Sequence, residues 1–217
     1  MIYIDMPIQG GSGSAAQWLR TMPPNSLDYL AEGNTNWMIK MLKQCEDHRH
    51  PTPDPLFCPS RLIDVRDSES LRLVLKEDII GSNGYRPRYM ALSYIWGPPG
   101  CQSEQLKTYS SNLADRRLEI REEDLKPTIH DAVRLARALS IPYLWVDALC
   151  ILQDPMDTTD WQKECAVMGQ IYGNSEVTVC AASSRSVDDG LLKSRYEPLF
   201  IPFQSNINPE VRGTYHL

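Results

Sequence analysis

Thr128–Asp154 reads TIHDAVRLARALSIPYLWVDALCILQD, and its two halves follow different periods. In the first half Ile129, Ala132, Val133, Ala136 and Leu139 recur at helical spacing, which predicts a helix with one apolar face running to about Leu139. Thr128 with Asp131 three residues on has the pattern of a capping box at its start. In the second half Pro142–Ile151 (PYLWVDALCI) is almost unbroken apolar sequence, the pattern of a strand buried on both faces. A helix leading into such a strand is the repeating unit of a parallel α/β sheet.

Working outward, Tyr89–Ile95 (YMALSYI) is a short run rich in strand formers, stopped by Gly97–Gly100 (GPPG). Cys101–Lys126 is polar and charged; so long an excursion inside a compact domain is functional or carries short helices of its own. Downstream, Gln153–Asp160 is a polar loop. Thr159 or Asp160 caps a second helix, along which Trp161, Cys165, Met168, Ile171 and Tyr172 repeat at helical spacing, and Gly173-Asn174 ends it. Val177–Ala182 (VTVCAA) is a third strand. Strand, helix, strand, helix, strand predicts parallel strands with right-handed crossovers, hence a three-layer α/β fold around a mainly parallel sheet.

Beyond this core, Asn34–Glu46 has helical spacing, and His50–Pro59 is a loop with four prolines. Arg61–Val65 and Leu71–Leu75 flank the polar turn Arg66–Ser70 and predict a β-hairpin. Gly81–Pro87 is a turn, Leu199–Phe203 a further strand, and Gly10–Ala16 (GGSGSAA) a flexible linker. The expected organisation is an N-terminal arm, linker and helix over residues 1–60, packing on a domain at 61–217 whose core is 89–183.

A net charge of -6 and a pI near 5.2 argue against nucleic acid as a partner, since that needs a basic surface. No run is apolar enough for a membrane span, and no basic-then-apolar signal segment opens the chain. Cys150, Cys165 and Cys180 lie inside apolar periodic segments, as buried free thiols do in a reducing compartment; with the acidic balance, this favours the cytoplasm.

Ligands of open parallel sheets bind outside the strands' carboxyl ends. That edge gathers Ser93, Tyr94, Trp96 and Gly97 after the first strand, then Asp147, Cys150, Gln153 and Asp154 from the second. The adjoining helix starts add His130 and Trp161–Glu164. Glu164 shares the apolar face of its helix, so its carboxylate either has a partner or a raised pKa. It also reads as a first-turn acid held by the dipole and a neighbouring group. Asp147 is an acid inside an apolar run, either chemical or accepting backbone N–H bonds from the following loop. Trp96 and Trp161 read as stacking platforms for a planar ligand or as core anchors. Pro98 and Pro99 have no N–H, so the GPPG loop is no phosphate cradle. Cys150 with His130 invites a thiol-hydrolase reading, set against a buried hydrophobe and a surface histidine. Cys45, His48, His50 and Cys58 have ligand types that suit zinc, in a spacing that matches no standard finger; no metal is expected.

Three ordered blocks carry a family resemblance: Tyr89–Gly97 (YMALSYIWG), Thr128–Asp154, and Asp160–Ser183 (DWQKECAVMGQIYGNSEVTVCAAS) followed by Gly190-Leu191 and Arg195. Together with the RLIDV lead-in at Arg61–Val65, the stretch from Arg61 to Arg195 resembles the fungal heterokaryon incompatibility (HET) domain. The resemblance implies a programmed-cell-death effector in non-self recognition, acting by self-association or with other incompatibility proteins. It further implies a flavodoxin-like core similar to TIR domains, several of which cleave NAD with a catalytic glutamate. By that analogy NAD or a related nucleotide is the substrate rather than a bound cofactor, and Glu164 and Asp147 are the catalytic candidates. A non-catalytic signalling module is the alternative.

Overall fold

The structure is a computed structural model that describes residues 28–45, 54–80, 87–100, 105–193, 200–204, 206–208, 210 and 212–216. The Gly10–Ala16 linker, His48, His50 and most of the Gly81–Pro87 turn lie outside the described residues.

The chain divides into two units, residues 50–192 and residues 1–49 with 193–217. The larger is built on a five-stranded mixed sheet. Its strands are β1 (Arg61–Asp64), β2 (Arg72–Leu75), β3 (Tyr89–Ser93), β4 (Tyr143–Trp145) and β5 (Val177–Cys180), in the order β2-β1-β4-β3-β5. β3 pairs in parallel with β4 and β5, as the strand–helix alternation predicts. β1 is antiparallel to both β2 and β4, so four of the five strands point one way. The predicted hairpin is present, with Leu62 opposite Val74 and Ile63 opposite Leu73.

Helices described in this unit include α2 (Lys76–Ile80), α3 (Leu113–Leu118), α4 (Pro127–Ala138), α5 (Asp147–Cys150), α6 (Thr159–Ala166) and α7 (Met168–Gly173). The apolar face of α4 is fully used: Ile129, Ala132, Val133 and Ala136 are all at 0 % exposure. With Leu62, Leu92, Leu144 and Trp145 they form the core, each large side chain contributing roughly 1.5–3 kcal/mol by leaving water.

Four expectations need correction. The apolar run from Pro142 is a strand only as far as Trp145. Asp147 then starts a single helical turn, in which the N–H groups of Leu149 and Cys150 bond the Val146 carbonyl. The residues are as buried as in a central strand, which is why the sequence pattern looks the same. The run Tyr89–Ile95 leaves the sheet at Ser93, and Ile95 stands 59 % exposed. The helix after Asp160 is two helices broken at Val167, and its N-cap is Thr158 without a side-chain cap. Helix α4 has Pro127 at its first turn rather than a capping box, because the Asp131 carboxylate is taken by the N–H groups of Leu191 and Leu192 (2.9 and 3.0 Å). The strand expected at Leu199–Phe203 is present as β6 (Phe200–Gln204), which pairs antiparallel with β7 (Arg212–His216) in a separate two-stranded sheet.

The smaller unit holds that ribbon and α1 (Glu32–Cys45), close to the predicted Asn34–Glu46. Among the described residues no helix is long and apolar enough to cross a membrane.

Candidate functional site

The parallel strands β4, β3 and β5 end together, and the segments that follow them form one polar neighbourhood. Strand β3 delivers Ser93, Tyr94 and Trp96. Gly97 follows in the left-handed region (φ +96°), a conformation that a side chain would strain. Strand β4 delivers Asp147 at the first position of α5. Strand β5 ends at Cys180 opposite Ser93, whose carbonyl accepts the Ala181 N–H (2.9 Å).

Asp147 is the centre of this group. Its carboxylate accepts the Trp96 indole N–H (2.9 Å) and the Ala148 backbone N–H (2.7 Å). The residue keeps some exposure while its carboxyl is desolvated, and that desolvation pushes its pKa above the ordinary carboxylate value. The Trp96 and Ala148 donors, with the nearby Tyr94 hydroxyl, offset only part of the shift. Burial, and secondarily the Asp147 charge, push the Tyr94 phenol strongly up. Tyr94 is near enough to Asp147 and Gln105 to feel both, yet its hydroxyl completes no well-formed hydrogen bond. Tyr172, which stacks edge-on against Trp145 at 5.5 Å, is pushed up to about 12 by burial first and then by Asp147. Lys107 sits 5.1 Å over the Trp96 ring, a cation–π contact that covers that ring.

Glu164 lies apart from this cluster. At 1 % exposure it accepts the Ser60 hydroxyl at 2.5 Å, just ahead of β1. Beside it Arg61, 7 % exposed, donates to the Cys150 carbonyl (2.7 Å) and pairs with Asp160, which also accepts the Leu152 N–H (2.8 Å). This clamp ties β1 to α5 and to the start of α6. The two candidate acids bear jointly on the Cys165 thiol, whose pKa is raised by burial first and then by Asp147 and Glu164.

Other expected site residues have structural partners or none. Gln153 donates from its side chain to the Asp147 and Ile151 carbonyls (3.3 and 3.2 Å), so it braces the α5 turn. Asp154 accepts from the Ser110 backbone N–H (3.0 Å) and its hydroxyl, fastening the loop before α3. Trp161 is 48 % exposed on α6 and anchors no core. The Cys150–His130 pairing fails: Cys150 is fully buried with its thiol pushed up to about 12, and His130 faces Glu122 at 3.5 Å. Cys58 is the one member of the Cys/His set whose side chain is described. Its thiol donates to the Pro59 carbonyl (3.4 Å), and burial raises it to about 11. Among the described residues no group of three or more His, Cys, Asp or Glu side chains is placed to hold a metal.

Sequence reasoning missed Gln105, Tyr172, Ser60 and Arg61. Gln105 sits in the polar excursion read as functional or carrying short helices, and nothing in its neighbours singles it out. Tyr172 is hidden among the apolar repeats of its helix. Ser60 and Arg61 look like ordinary polar residues opening a hairpin.

Comparison with known proteins gives one finding that bears on this arrangement. Neither curated proteins nor solved structures yield a match. Residues 89–209, which contain β3, β4, β5 and every residue of the Asp147 cluster, match the family model described as heterokaryon incompatibility protein (HET); this is more than half of the chain, and the chain belongs to that family.

Proposed function

We propose that this HET domain is a programmed-cell-death effector of fungal heterokaryon incompatibility that cleaves NAD or a related nucleotide, with Asp147 as the acting carboxyl. The observation that carries the reading is the state of Asp147: desolvated, raised in pKa and partly open at the carboxyl edge of three parallel strands. The order β4-β3-β5, with the earliest strand central, is the start of a flavodoxin-like sheet and supports a TIR-like, three-layer reading of this core. The bond from ribose C1′ to the nicotinamide nitrogen breaks with its electron pair leaving on nicotinamide. The oxocarbenium-like state this creates is stabilised by an ionised carboxylate close by, and solvent water then adds to C1′ and gives up a proton to solvent. Glu164, on α6 and closed off by Ser60, acts as a positioning group rather than on the substrate.

The test is nicotinamide release from NAD by the full chain in the cytoplasm-like, reducing conditions its thiols suit. Release is expected from the unaltered protein and a loss of at least a hundredfold from Asp147→Asn, with a smaller change from Glu164→Gln. Cell killing that survives Asp147→Asn sinks the reading.

A second reading is a non-catalytic module that works by self-association or by docking another incompatibility protein. Met156 and Trp161, 95 % and 48 % exposed around the start of α6, favour it. Killing abolished by charged substitutions at both, with NAD turnover absent throughout, is its expected signature.

A further inference from the structure

Gln105 is the least explained residue of the site. It is 4 % exposed, and neither its amide nitrogen nor its carbonyl oxygen has a hydrogen-bond partner. The Tyr94 hydroxyl is near enough to interact with Gln105 and Asp147, but it meets hydrogen-bond geometry with neither. Buried polar atoms are almost always paired, because each gives up hydrogen bonds to water when it leaves solvent. The backbone here is not loose. Thr108 donates to the Ala148 carbonyl (3.1 Å) and accepts from the Gln153 N–H (2.8 Å), which fixes the segment after Gln105 against the α5 turn that carries Asp147. The segment is therefore held in place while its carboxamide has only the loosely placed Tyr94 hydroxyl beside it and no well-formed hydrogen bond.

We propose that Gln105 reads an amide-type edge, a coplanar donor and acceptor, on a small planar ligand seated beside Asp147. A carboxamide offers one N–H donor and one carbonyl acceptor in a plane, which matches a second such pair and rejects a ligand that lacks half of it. The Tyr94 hydroxyl adds a group that can donate or accept at the rim of the same pair. Two ends of a dinucleotide present this chemistry: the carboxamide of nicotinamide, and the amino group with the adjacent ring nitrogen of adenine. Placing the ligand beside Asp147 rests on reading that carboxyl as the acting group; the recognition by Gln105 does not.

The test is direct binding to the full chain by calorimetry or ligand-observed NMR, with nicotinamide and adenosine as separate probes. Nicotinic acid and purine riboside, each lacking the donor, are their controls. One probe is expected to bind saturably, with its control about tenfold weaker or worse. Gln105→Leu is expected to lose at least tenfold in binding, while its melting temperature holds or rises, since it removes unpaired buried atoms. Gln105→Glu, which keeps the shape and loses the donor, is expected to lose binding as well. Failure of both probes to bind, equal binding by folded Gln105→Leu, or a high-resolution structure in which bound water alone satisfies Gln105 overturns the proposal. Binding that depends on Gln105 without nicotinamide release leaves this recognition standing and removes the catalytic reading. Release with a KM unchanged in Gln105→Leu does the reverse.

Discussion

The Trp96 indole N–H meets the Asp147 carboxylate at 2.9 Å and so joins the turn after β3 to the first turn after β4. One hydrogen bond thereby fixes the spacing of the two loops that form the edge. It also lowers the Asp147 pKa, but by less than burial raises it.

Asp147 imposes a pH dependence on stability. Its folded pKa is raised, so the folded state holds the proton more tightly than the unfolded chain. The contribution is fully present below the unfolded carboxylate pKa and is lost as pH rises through the raised folded value. Asp147→Asn should remove this loss, so that its stability relative to the unaltered protein increases with pH across that window. Thermal melts of the two proteins over a pH series measure it; a constant difference counts against a raised pKa.

Arg61 should be a stability hot spot rather than a catalytic one. Arg61→Met leaves the Cys150 carbonyl without its donor and Asp160 without its cation. The expected cost is about 3 kcal/mol, the low end for breaking a buried pair, since Asp160 keeps the Leu152 N–H and some solvent. Urea denaturation reads this directly. Arg61→Lys should recover only part of it, because one ammonium does not reach both acceptors as the guanidinium fork does.

Gly190 has a backbone reason to be glycine. Its φ is +73°, and a Cβ there would stand 2.9 Å from an Asp131 carboxylate oxygen, the same oxygen that accepts from Leu191 and Leu192. Gly190→Ala should cost about 1–2 kcal/mol from the left-handed conformation alone, and faster amide exchange at Leu191 and Leu192 should show the loop lifting from α4.

Thiol reactivity should follow burial. Among Cys58, Cys150, Cys165 and Cys180, the exposed Cys180 should alkylate first in the native protein. Cys150, fully buried with its thiol near 12, should react only on unfolding. Mass spectrometry after a timed iodoacetamide pulse checks the order; early labelling of Cys150 would falsify the packing described for α5.

Trp161→Ala should leave stability within about 0.5 kcal/mol, since a half-exposed side chain on α6 gives up little buried area. A loss of cell killing without a change in melting temperature then marks Trp161 as a contact with something outside the fold.

Sequence by itself determined the parallel pairing of β3, β4 and β5, the hairpin, the core face of α4 and the family. Each rests on local periodicity or on an ordered motif, and both survive in a linear reading. It also located the edge at which Ser93, Tyr94, Trp96 and Asp147 meet, because strand direction fixes where strands end. Only the tertiary structure decided that Asp147 opens a helical turn rather than continuing a strand, since burial on all sides erases the period that would distinguish the two. Only tertiary structure separated the two acids. Glu164 is met by Ser60, 104 residues away, and Asp147 by Trp96, 51 residues away. A carboxylate's role depends on which donors reach it and how much water is left, and those are set by pairings across the chain.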